Sequence, residues 1–112
     1  MISSNEHNEA LDSFIKSLHE QRFYDAHEDL EKVWFPRRFE DNNEMKLLKG
    51  FINASVSFEL IKKGRLESSN KVWKNYLKYR QLLYKVESLH LNKYHFIVRY
   101  IESIKNAKAL HT

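Results

Sequence analysis

The run Glu44-Met45-Lys46-Leu47-Leu48-Lys49-Gly50-Phe51-Ile52-Asn53-Ala54-Ser55-Val56-Ser57-Phe58-Glu59-Leu60-Ile61-Lys62-Lys63-Gly64 reads as one helix from Glu44 to Lys63. Its apolar residues recur at helical spacing but spread over a wide arc. A surface helix shows a narrow stripe, whereas a helix apolar on most sides is enclosed, so this one is expected at the centre of the fold. Asn42 or Asn43 can cap its start, and Gly64 supplies the left-handed turn that ends a helix without steric cost.

The pattern continues outward on both sides. Ser3 and Glu6 fit a capping box ahead of Ala10, Leu11, Phe14, Ile15 and Leu18, which predicts a first helix from Ser4 to Gln21. Phe23, Ala26, Leu30, Val33 and Trp34 predict a second, stopped near Phe35 by Pro36. Arg37 to Asn43 reads as a loop. Leu66, Val72, Trp73, Tyr76, Leu77 and Leu83 mark a fourth helix, and Phe96, Ile97, Tyr100, Ile101 and Ile104 a fifth, separated by the break at Glu87 to Asn92. The 112 residues suit a single domain, and only two glycines and one proline leave too little turn chemistry for a sandwich, barrel or Rossmann unit. The expected fold is all-α: an antiparallel bundle-like array of four main helices plus a C-terminal fifth, covering 1–112.

Composition removes several classes of function. With no cysteine there is no disulfide framework, thiolate zinc site, iron–sulfur cluster or cysteine nucleophile. The polar start, Met1 to Glu9, lacks the apolar segment of a signal peptide, and no apolar run is long enough to cross a bilayer, so the cytoplasm is the expected location. Neither Ser3-Ser4 nor Ser68-Ser69 has the context of a nucleophile elbow, and there is no glycine-rich phosphate loop. Lys71, Lys74, Lys78 and Lys85 form a basic stripe interleaved with Trp73, Tyr79 and Tyr84. A net charge of +4 is small for a nucleic-acid binder, so the stripe is expected to be a solvated lysine face, with nucleic-acid contact through helix four as a third, weaker reading. Arg37 and Arg38 could bind an anion or serve as surface charge. His7, His19, His90, His95 and His111 are scattered and read as surface or rim residues. The many aromatics of helices four and five exceed what one small bundle hides, which predicts a homodimer face.

The most informative short run is Phe23-Tyr24-Asp25-Ala26-His27-Glu28-Asp29-Leu30-Glu31-Lys32-Val33-Trp34. His27 and Glu31 stand one turn apart on one face, Trp34 extends that line, and Glu28 falls about a quarter turn away. Ala26-His27-Glu28, Leu30-Glu31 and Trp34 resemble the signature of the domain-of-unknown-function family three hundred and nine. The resemblance extends to Lys49-Gly50-Phe51-Ile52-Asn53-Ala54 and to Gly64, and spans about Phe23 to Leu83. Lys49 and Asn53 stand where that family has glutamines, and helix three lacks a histidine that many relatives carry near its end. The resemblance implies a small all-helical protein of the kind described as a metal-dependent hydrolase.

Two readings of these residues stand side by side. An imidazole and a carboxylate at helical spacing suit zinc, manganese or iron. Glu59, on the apolar arc of helix three beside Leu48, Ile52 and Ser55, is the candidate third ligand, with Glu28 as general base on metal-bound water. In the other reading the protein is a non-enzymatic interaction module. Arg80, on the apolar face of helix four, then neutralises Glu59 or Glu31. His27, Glu31, Glu59 and Arg80 would converge in one polar pocket, with Trp34 buried against Phe51 and Ile52, and with Asn53 and Tyr24 alongside.

Overall fold

The computed structural model describes residues 3–110, with side chains through Lys108. Five α-helices follow one another: α1 (Ser4–His19), α2 (Phe23–Trp34), α3 (Asn43–Lys62), α4 (Leu66–Arg80) and α5 (Leu91–Leu110). Short 3-10 turns at Phe35–Arg37 and Gln81–Lys85 extend α2 and α4. The described residues contain no strand. None of their helices is long and apolar enough to cross a membrane.

The chain reverses at every connection, so α1, α3 and α5 run one way and α2 and α4 the other. Cross-contacts fix this order. Ser17 of α1 bonds Asp29 of α2, Phe23 of α2 packs on Phe58 of α3, and Ser57 of α3 bonds Ser69 of α4. The fifth helix closes the array, bringing Tyr94 to His7 and Tyr100 to His19 of α1. Helix α3 is the centre, as its wide apolar arc predicts. Residues on all its sides are buried, including Met45, Leu47, Leu48, Phe51, Ala54 and Phe58. A small-residue seam brings α4 against it. A Cβ on Gly50 would stand 2.8 Å from the Cβ of Tyr79, and Ser57 and Ser69 exchange hydrogen bonds in the interior. Glycine at 50 is therefore a packing requirement.

Helix ends follow local chemistry. Ser3 caps α1 by accepting from the Glu6 N–H at 3.1 Å, and Asn42 caps α3 by accepting from Met45 at 2.8 Å. The first helix stops at His19, two residues short of the expected end, because Gln21 takes a left-handed φ of 59°. Arg22 then donates back to the Ser17 carbonyl and Gln21 to that of Leu18. Gly64 ends α3 in the same way, with φ 76° and Arg65 donating to Leu60. Helix five begins at Leu91, earlier than its apolar pattern suggests, after a turn in which the Ser88 hydroxyl accepts from the His90 N–H at 3.0 Å.

Candidate functional site

Phe23, Ala26, Leu30 and Val33 hold α2 against the core. That anchorage turns His27, Glu31 and Trp34 to one flank and Asp29 to the other, where it meets Ser17. On the first flank His27 Nε2 lies 2.7 Å from Glu31 Oε1, with side chains 25% and 42% exposed. A carboxylate only accepts, so the imidazole donates through Nε2. Tyr24 stands edge-on to His27 at 6.0 Å and is largely exposed. Glu28 points into solvent.

Trp34 is half-buried, not enclosed. It ends α2, packs on the core with one side, and with the other lines a cleft of about 350 Å³ together with Arg38, Phe39, Met45, Lys49 and Tyr79. The Lys49 ammonium lies 5.7 Å from its ring centre. Beyond it the Arg38 guanidinium sits 3.7 Å over Phe35 and 4.5 Å over Phe39. Phe39 is 87% exposed.

The expected four-residue convergence does not form. Arg80 pairs with Glu102 of α5, an acid that the sequence reading did not consider. Glu59 turns to Lys63, the residue that caps its own helix, at 3.7 Å, and Asn53 donates to the Lys49 carbonyl at 2.8 Å. Glu59 and Asn53 have found partners one turn away and Arg80 is met by α5, so pairwise contacts replace an assembly of four side chains from three helices, which would cost more ordering entropy. Of the candidate metal ligands, His27 and Glu31 come together and Glu59 does not join them. Among the described residues no three His, Asp or Glu side chains are placed to share an ion. As arranged, the donor set does not fit a three-ligand metal centre.

The structure also assembles a polar chain that the sequence reading missed. Tyr94 Oη donates to Glu44 Oε2 at 2.5 Å, and Ser88 donates to the same oxygen at 2.6 Å. Because the single tyrosine proton is spent on Glu44, His7 must donate its Nε2–H to Tyr94 Oη, 2.7 Å away. The His90 ring stacks on His7 with centroids 4.2 Å apart. Burial, reinforced by the neighbouring His90, pulls the His7 imidazole down to about 4. Burial and the Glu44 hydrogen bond hold Tyr94 far above the usual phenol range. His7 reads as a surface or rim residue in the sequence and Tyr94 is not singled out there, and the only local signal was an acid in the first turn of α3. His111 lies outside the described residues.

With this geometry in place, comparison with known proteins adds one finding. The family model described as Domain of unknown function (DUF309) matches residues 11–72, more than half of the chain. The chain belongs to the DUF309 family. No curated protein and no solved structure matches it. The DUF309 match begins within α1 and stops within α4, so it starts earlier and ends earlier than the motifs alone suggest. It contains His27, Glu28, Glu31, Trp34, Asn53 and Glu59. It leaves out His7, Arg80, Tyr94 and Glu102.

Proposed function

We propose that this DUF309 protein is a non-enzymatic helical interaction module that docks through the flank of α2 and the Phe35–Phe39 segment. One observation carries the reading: His27 and Glu31 satisfy each other at the surface beside the exposed Tyr24, and past the half-buried Trp34 the exposed Phe35 and Phe39 follow, with Arg38 over both phenyl rings. Aromatic and arginine side chains are the commonest anchors of protein interfaces. The occupant is a second copy of this chain. The cleft beside Trp34 carries both signs of charge, Lys46 and Lys49 with Glu40 and Asp41, which suits a self-complementary two-fold contact. The aromatics of α4 and α5 supply less of such a surface than the sequence suggested, because Tyr76 and Tyr94 are buried, leaving Tyr84 and Phe96 as the exposed ones. Sedimentation tests the reading over about 1 to 100 μM, a range corresponding to roughly 8 to 5.5 kcal/mol. The wild type is expected to dimerise in that range and Phe39→Ser to stay monomeric. A wild type that remains monomeric throughout rejects it.

The His27–Glu31 pair also favours a second reading, the metal-dependent hydrolase that the family resemblance implies, because it supplies two donors of the right chemistry. A third would have to be Glu59 released from Lys63. Calorimetric titration with zinc and manganese tests His27, Glu31, Glu59 and Glu28 in those roles. Heat in the wild type that His27→Ala abolishes supports the reading, and no heat in the wild type removes it.

A further inference from the structure

We infer that a cleft between the end of α4 and the middle of α5, which shares no lining residue with the Trp34 cleft, binds a nucleoside monophosphate. The cleft measures about 460 Å³, within the range of roughly 300–1,000 Å³ that small-molecule sites occupy. Arg80 ends α4, and Gln81 and Tyr84 follow it in the 3-10 turn, making one wall. His95, Arg99 and Glu102 recur at helical spacing along α5 and make the other.

The charges of this cleft are unbalanced in one direction. Its single carboxylate, Glu102, is already engaged by Arg80. Arg99 is exposed and forms no ion pair among the described residues. The lining therefore offers a second guanidinium and an imidazole with no acid left to meet them. A guanidinium presents a planar fork of donors that matches a phosphate, so the free charge selects an anion of that geometry.

Flat groups at the mouth specify the rest of the ligand. Tyr84 is 85% exposed, so its ring buries little surface within the chain. It meets His95 edge-on with centroids 6.5 Å apart. An exposed tyrosine beside an imidazole is a platform on which a purine or pyrimidine can stack, and base–aromatic stacking tolerates any base. Gln81 carries both a donor and an acceptor for the edge of that base. Phosphate on Arg99 and a base on Tyr84 are the two ends of one nucleotide.

Titration of the full chain with adenosine 5′-monophosphate, adenosine and inorganic phosphate, followed by amide chemical shifts, tests the assignment. The nucleotide should bind saturably with a Kd below about 1 mM and shift amides within 80–102. Adenosine and phosphate should each bind at least about tenfold more weakly. Arg99→Gln should weaken the nucleotide by about tenfold. Tyr84→Ala should weaken the nucleotide and leave phosphate unchanged. Both residues are exposed, so the fold tolerates these changes. Equal affinity for nucleotide and phosphate, shifts scattered over the surface lysines, or an Arg99→Gln variant that binds like the wild type would overturn the proposal.

Discussion

His27 and Glu31 make their 2.7 Å contact on the outer flank of α2, while His7 makes a contact of the same length to Tyr94, and through it to Glu44, in the interior. Both clusters combine an imidazole with a carboxylate. They differ in what surrounds them and in what removing a member leaves behind. On α2 either partner, left alone, turns to water. At the inner cluster His7 and Tyr94 are buried and Glu44 is half-buried, so a partner lost there leaves the Tyr94 or His7 group without a replacement, and such a group costs much of its desolvation. The inner chain also ties together the starts of α1, α3 and α5, where free backbone N–H groups favour the negative charge of Glu44. The inner cluster therefore holds the architecture, and the outer one is free to serve recognition.

Removing Glu44 should separate the two most sharply. Glu44→Ala takes the acceptor from Tyr94 Oη and Ser88 Oγ together. A loss of about 2–3 kcal/mol is expected in urea unfolding. A loss no larger than that of an exposed charge would mean that water enters the cluster and that the two sites are alike.

Acid should act on the inner cluster next. His7 is held near 4 in the folded chain against an ordinary value of 6.5. The folded state thus favours the neutral ring. Its full contribution is present above pH 6.5, falls away as pH drops through that value toward 4, and is gone below it. The expected loss across this window is about 2 kcal/mol, after allowance for solvent screening. His7→Gln should flatten that part of the stability profile, and an unchanged profile in the variant would assign the acid sensitivity to other groups.

How far the sequence foretold these features depends on the distance between partners along the chain. The five helices were legible because apolar spacing, Ser3, Asn42 and Gly64 are all local signals. So was the His27–Glu31 pair, since a one-turn spacing determines the contact by itself. Gln21 was not legible, because glutamine carries no preference for positive φ and takes it here only as part of the turn into α2. Arg80 was placed on the right face but given the wrong partner. A helical wheel tells which side a residue faces and not which helix will cover that side. His7 and Tyr94 are 87 residues apart, and Tyr94 and Glu44 are 50 apart, so only the docking of α5 brings the inner chain together.

Gly50 sharpens the comparison from within the region that the family model matches. It neighbours Lys49 and Asn53 in a run that suggests a site, yet its lack of a side chain serves the approach of α4. Gly50→Ala puts a methyl group 2.8 Å from Tyr79 Cβ, and two helix backbones must move apart to admit it. A loss of about 1–2 kcal/mol is expected from thermal or urea unfolding, net of the better helix propensity of alanine. A stabilised variant would show that the seam is loose and that the glycine has another role.

The smallest effect on stability should come from the motif residue itself. His27 is one member of a partly exposed pair at one-turn spacing, and such pairs contribute about 0.3–0.5 kcal/mol on helices. Its ring touches Tyr24 only by an edge, and Tyr24 is itself exposed, so little packing is lost with it. His27→Ala is therefore expected to cost less than about 1 kcal/mol in urea unfolding. The same variant should weaken self-association, because the imidazole lies within the face assigned to the second copy and its removal leaves Glu31 without a partner there. A loss above about 2 kcal/mol with unchanged association would place His27 in the same class as His7. The distinction between an architectural interior and a recognition surface would then fail at the residue that defines it.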